Sequence, residues 1–236
     1  MIDRTCRLIT FLWLIASSHA WFTAPIHGIG ALLFPLRNLE IVALTRQQLD
    51  DISQFFVDEF WTNKVGGGTR ELTQRQRKQL LQSQTAEFNS RYCNRNPNSA
   101  LLVGYSGDTI VACVGVEVEK IPEDSLRGKI ACRAPLMSNL VVRRSFRKRG
   151  IAEQMVAAIE DFTRDNDFEE CYLYVEERNP AAVRLYQKLG YKPRWRDAEA
   201  KTLLPGSDGT LRQSDTVIIC MKKDLTQRKT FFSIFS

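Results

Sequence analysis

The sequence predicts an α/β fold of the α+β kind: a central mixed, twisted sheet of about six to seven strands flanked by about four helices. Two observations carry this expectation. Apolar runs bounded by turn residues recur from Asn38 to Lys222. One stretch, Met137 to Tyr191, also reads as strand, glycine turn, helix, strand, capped helix, the order of a parallel crossover.

The first strand is predicted at Asn38–Leu44. Thr45 is placed to cap a helix whose apolar face is Leu49, Ile52, Phe55, Phe56 and Phe60. Gly66-Gly67-Gly68 breaks that pattern and reads as a connector. It is not a phosphate loop, because no Lys-Ser/Thr and no strand accompany it. Thr69–Tyr92 reads as a long, exposed helix with a narrow stripe of Leu72, Gln76, Leu80 and Phe88, its Arg75, Arg77 and Lys78 forming a solvated face. Ala100–Tyr105 and Thr109–Glu119 are strands joined by Ser106-Gly107-Asp108 as a hairpin turn. Ile130–Val142 is the central strand, with Pro135 or Ser138 marking an irregularity.

A basic segment, Arg143–Arg149, follows, and Gly150 opens a helix with Ile151, Met155, Ile159 and Phe162 at helical spacing. Phe168–Val175 is the next parallel strand. Asn179 is a good N-cap, Pro180 suits the first helical position, and Gly190 closes that helix. Pro193-Arg-Trp195 begins a further strand, Asp197–Ser214 reads as an extended polar loop, and Thr216–Lys222 closes the sheet. A basic tail with Phe231, Phe232 and Phe235 follows.

The termini read differently from the middle. Arg4 and Arg7 precede the apolar run Leu8–Ile15, and Ser18-His19-Ala20 offers small residues for cleavage, the layout of a signal peptide. That run is too short for a stable membrane span. Trp21-Phe22 follows, and no Asp or Glu occurs from Arg4 to Leu39. This acid-free stretch resembles the second half of a bipartite leader for the complex plastids of algae; plain secretion is the alternative. The predicted organisation is therefore a presequence at 1–38 (signal peptide 1–20, transit-like 21–38), a domain at 39–225 and a tail at 226–236. Removing 1–38 takes away three cations and one anion, lowering the net charge from +6 to +4, and removes both histidines. Without histidine, a Ser-His-Asp triad, a Cys-His dyad and a His-ligated zinc site are excluded. Five cysteines remain, with no CxxC, so neither a disulfide framework nor a zinc knuckle is expected. No metal is expected.

The turn Arg147-x-x-Gly150-x-Ala152 exposes backbone N–H groups at a helix N-terminus, where a phosphate or pyrophosphate is favoured. Downstream stands Asn179-Pro-Ala-Ala-Val-Arg-Leu-Tyr186-Gln-Lys-Leu-Gly190-Tyr191. The two motifs, one helix and one strand apart, resemble the GCN5-related N-acetyltransferase (GNAT) superfamily. The resemblance spans roughly Leu39–Leu225, and its specific part is Ser138–Tyr191. It implies acetyl-CoA as cosubstrate. The backbone of Leu140, Val141 and Val142 would face the pantetheine arm and thioester. The loop Arg147, Lys148, Arg149, Gly150, Ile151 and Ala152 would hold the pyrophosphate. Asn179 would contact the pantetheine, and Tyr186 would stand near the sulfur as general acid. Related protein acetyltransferases often carry Glu or His five positions before that Asn; here the position is Tyr174, a candidate to relay the proton through water but a poor base unless its pKa is shifted. Glu117 and Glu119 are alternatives for the base.

The Ser138–Val142 pattern and the YxKLGY ending resemble protein amino-group acetyltransferases of the ribosomal and plastid type. The implied acceptor is a protein or peptide α-amine, with lysine as an extension. A small amine, such as a polyamine, arylalkylamine or amino acid, is the alternative enzyme reading. A non-catalytic acyl-CoA-binding module is the reading outside enzymes. A nucleic-acid site on Arg143–Arg149 is disfavoured, because Gly-x-Ala and a helix follow at once.

Overall fold

The computed structural model describes residues 39–62, 64, 71–94 and 96–226. The presequence, the triple-glycine connector and the tail beyond 226 lie outside the described residues. The strands are β1 (Glu40–Ala43), β2 (Ser99–Ser106), β3 (Thr109–Pro122), β4 (Ile130–Val142), β5 (Glu170–Glu176), β6 (Lys192–Pro205) and β7 (Leu211–Asp224). The helices are α1 (Leu49–Phe56), α2 (Gln74–Tyr92), α3 (Ile151–Asp165) and α4 (Pro180–Lys188). All seven strands form one sheet in the order β1-β2-β3-β4-β5-β7-β6. Only β4 and β5 run parallel; the other neighbours are antiparallel.

The alternation of each strand divides the core between the two faces. Leu102, Ala112, Val114, Met137, Leu140, Leu173 and Val175 pack with Met155, Ile159 and Tyr186 of α3 and α4. Leu101, Val103, Cys113 and Val141 pack on the opposite face with α1 and α2. There the predicted face of α1 is buried, and the Phe56 and Phe60 rings stack at 4.8 Å. Both rings are therefore core material. After Phe56 the helix widens into a π-helical turn, Val57–Trp61.

The sequence reading needs two corrections. The second helix begins at Gln74, not Thr69: Thr73 adopts an extended backbone and accepts the Gln76 N–H at 3.3 Å. Gln76, Gln84 and Tyr92 complete its stripe, and Arg91 is drawn inward. Residues 197–214 are not a loop. Apart from the turn at 206–210 they extend β6 and β7 into a long hairpin, with Ala200 paired to Thr216 and Leu204 to Arg212. Small or polar side chains, Asp197, Ala200 and Thr202, take three of its buried positions ahead of Leu204, so the alternation there shows little contrast in hydropathy. Pro135 sits in regular register opposite Val118; the irregularity adjoins Ser138.

Candidate functional site

The site begins where the sheet opens. The β4–β5 ladder holds only two pairs, Leu136 with Tyr172 and Met137 with Leu173. Beyond it, among the described residues, Ser138–Val142 has no strand on its β5 side, and β5 continues only against β7. The cause is local. Gly115 pairs with Ser138 and Cys113 with Val141, so two residues of β4 lie opposite Val114 of β3. The extra residue is a bulge that bends the strand. Asn139 takes φ 56° there, in the left-handed region that Asn tolerates better than most residues. The Leu140 backbone, which the resemblance sets toward the thioester, thus lies in a bulge of β4.

At the wide end of this wedge stands the N-terminus of α3. Gly150 is its N-cap at φ 75°, preceded by Lys148 at φ 59°. A Cβ at Gly150 would meet nothing within 4 Å, so its backbone conformation, and not crowding, favours glycine. No described side chain caps α3, whose first N–H groups have no partner within the helix. The dipole of this 15-residue helix adds partial positive charge. Ile151 is buried and Ala152 is small, so an anion can reach the backbone. This geometry fits a pyrophosphate.

The basic side chains nearby are largely occupied. Arg147 Nε donates to the Val142 carbonyl at 3.0 Å. Arg149 donates to the Ser145 carbonyl at 3.2 Å and lies over the Phe146 ring. Arg143 Nε donates to the Ile110 carbonyl at 2.8 Å. Lys148 is exposed. In this arrangement backbone N–H groups, more than the arginines, face an anion.

The structure brings some predicted residues together and separates others. Leu140, Val141 and Val142 bury their side chains in the two cores and leave their backbone at the wedge. Asn179 caps α4, its Oδ1 accepting the Ala182 N–H at 3.2 Å. Tyr186 is fully buried, 5.8 Å centroid to centroid from Tyr191, and its hydroxyl has no hydrogen-bond partner among the described residues. Burial, with Cys171 close by, pushes its pKa well above 10, so the phenol keeps its proton at neutral pH. Tyr174 lies on the other face, tilted against Trp195 at 5.4 Å. Burial first, then Cys220 and Glu119, push its pKa up, which favours phenol over phenolate.

Glu117 belongs to a network the sequence reading missed. Arg91, in the last turn of α2, pairs with Glu117 and with Glu87 (2.7 Å). The three side chains are only 9–12% exposed. Burial raises the pKa of both carboxyls, and Arg91 partly opposes it. Arg91 also donates to Ser138 Oγ at 3.1 Å. The Tyr92 hydroxyl lies 3.2 Å from Ser138 Oγ and accepts from Asn139 Nδ2 at 3.1 Å. Burial lifts the Tyr92 pKa to about 12. A Cβ at Gly115 would come within 2.3 Å of that hydroxyl, so glycine is required for Tyr92 to reach the bulge. The Glu87–Arg91 spacing on the buried side of α2 was the available sequence signal.

A second buried charge network closes β5. Glu176 accepts from Thr202 (3.0 Å), Thr216 (3.2 Å) and Arg178 (2.5 Å). Lys64 reaches Thr202 and the Leu203 carbonyl, and burial pulls its pKa well below the ordinary lysine value. Among the described residues, no helix is long and apolar enough to cross a membrane.

Comparison with known proteins agrees with this architecture. One solved structure similar in fold is the ribosomal-protein-S18-alanine N-acetyltransferase from Escherichia coli, with a TM-score of 0.53 and 14% identity over 83% of this chain and 99% of that one. Another is the PaiA N-acetyltransferase from Thermoplasma acidophilum in complex with coenzyme A, with a TM-score of 0.51 and 13% identity over 79% of this chain and 99% of that one. Among curated proteins, GCN5-related N-acetyltransferase 6, chloroplastic, of Arabidopsis thaliana is 30% identical over 82 residues, 31% of this chain. The chain spans 23% and 28% of the length of the curated relatives it matches. The family model described as acetyltransferase (GNAT) matches residues 67–191. With more than half of the chain matched, the assignment follows: this protein belongs to the GNAT acetyltransferase family.

Proposed function

We propose that the protein transfers the acetyl group of acetyl-CoA to an amine, and that its acceptor is the α-amino group of a protein, with lysine ε-amines as a second class. The observation that carries the reaction is the uncapped N-terminus of α3 beside the opened β4–β5 seam. Tyr186 adds a buried hydroxyl that no described residue hydrogen-bonds. Acetyl-CoA supplies an activated acyl thioester. The N–H groups of 150–152 hold its pyrophosphate, and the free backbone of 138–142 aligns its pantetheine. A backbone N–H at the bulge stabilises the developing oxyanion. Tyr186 donates its proton to the departing sulfur. The amine's proton leaves through water toward Glu117, because burial keeps Tyr174 a phenol. The excess of carboxylate over guanidinium at Glu87, Arg91 and Glu117 supports an amine acceptor. The Ser138–Val142 pattern supports a protein one.

Incubating residues 39–236 with labelled acetyl-CoA, a peptide library and a panel of small amines tests both levels. Absence of transfer to any amine would overturn the reaction. Labelling of small amines ahead of peptide α-amines would overturn the acceptor. In Gly150→Val, a branched residue is forced to the left-handed cap, a loss of about 1–2 kcal/mol and about tenfold in KM for acetyl-CoA; initial-rate kinetics check this. We also propose that residues 1–38 direct the protein to a plastid. Fusion of that segment to a fluorescent protein is expected to give plastid import, and secretion of the fusion would refute it.

A further inference from the structure

The segment Arg143–Arg149 packs five cations into seven residues, and their mutual repulsion opposes a fixed conformation. One carboxylate from another part of the fold reaches into it. Glu59, inside the π-helical turn that follows α1, accepts the Arg144 backbone N–H through Oε2 at 2.9 Å. Its Oε1 lies 3.7 Å from Arg143 Nη1, and its side chain is 17% exposed. Arg143 is held further by the Ile110 carbonyl and by stacking over Phe55 of α1 at 5.2 Å. The backbone between Arg144 and Gly150 leads directly to the N–H groups at the start of α3. A π turn holds one more residue than an α turn of the same reach and turns its side chains to different directions. In this turn Val57, Phe60 and Trp61 are buried while Glu59 faces the basic segment.

We infer that Glu59 is a positioning residue for acetyl-CoA: it fixes the basic segment in the conformation that presents the α3 N-terminus to the pyrophosphate. This rests on the function proposed above. Glu59 acts through the loop and touches no reacting atom. Its carboxylate also adds a negative charge near a site meant for anions, so its hydrogen bond helps binding while its charge opposes it. The two effects are separable by substitution. Glu59→Gln keeps an oxygen for the Arg144 N–H and removes the charge; Glu59→Ala removes both.

The experiment measures coenzyme A binding by calorimetry, and KM and kcat for acetyl-CoA, on the full chain and both variants. Glu59→Ala is expected to weaken coenzyme A binding and raise KM about tenfold, with kcat changed less than about twofold. Glu59→Gln is expected to bind within about threefold of wild type. Unchanged binding in Glu59→Ala overturns the inference, as does a loss in Glu59→Gln as large as in Glu59→Ala. A fall in kcat at constant KM overturns it too. If the wild-type protein binds no coenzyme A, the proposed function itself fails, an outcome distinct from all of these.

Discussion

Tyr186→Phe is expected to lower kcat about 100-fold or more while leaving KM for acetyl-CoA within about threefold. The substitution removes one oxygen from a ring that is fully buried among Met155, Ile159, Leu173 and Tyr191. That oxygen makes no hydrogen bond among the described residues. A buried hydroxyl without a partner costs folding energy, so the Phe variant is expected to be as stable as wild type or about 1 kcal/mol more stable. A purely structural tyrosine would give the second result without the first. Steady-state kinetics with urea unfolding on the same preparation separates the cases. Unchanged kcat removes Tyr186 from the chemistry.

Arg91→Met is expected to have the largest effect on stability. It leaves Glu87 and Glu117 together in a site where each carboxylate is about 12% exposed and the guanidinium that serves both is gone. Breaking a buried ion pair in this way costs about 3–5 kcal/mol. The loss depends on pH. Both carboxyls already have folded-state pKa values raised by burial, and Arg91 is the largest influence holding them down. A raised carboxyl contributes stability that is fully present below its unfolded-state pKa and lost as pH rises through its folded-state pKa. Removing Arg91 lifts the folded-state values further and widens that window upward. The penalty relative to wild type is therefore expected to be greatest near about pH 8 and to shrink toward about pH 5. Urea unfolding of both proteins across that range checks it; a pH-independent difference would show that the carboxyls do not carry the effect.

The parts of the fold legible in the sequence were those written in local chemistry. Asn179-Pro180 and Gly190 mark the ends of α4 because capping and positive φ are decided within a few residues. The Gly150 turn was legible for the same reason. The long β6–β7 hairpin was not, because Asp197, Ala200 and Thr202 take successive buried positions of β6 and resemble loop residues in composition. The network around the bulge was hidden more deeply. Arg91 and Tyr92 close a helix that reads as solvated, and they meet Ser138 only after 46 or 47 residues of chain have folded between them. No pattern within one segment registers that meeting. Gly115 is the trace it leaves: a glycine within a central strand, empty because a tyrosine hydroxyl from α2 fills the space.

The two-pair ladder between β4 and β5 joins an antiparallel half-sheet of β1 to β4 with another of β5, β7 and β6. Each half is stitched internally by long antiparallel ladders, whereas the suture between them is Leu136, Met137, Tyr172 and Leu173. The lateral continuity of the molecule therefore depends on four residues and on the apolar layers clamped across them by α3 and α4. Whatever lies along the open seam and hydrogen-bonds to the β4 backbone takes the place of missing rungs and lengthens that suture. A ligand there acts as a substitute strand, so the protein's resistance to being pulled apart across its middle should rise with occupancy of the same gap that makes it useful.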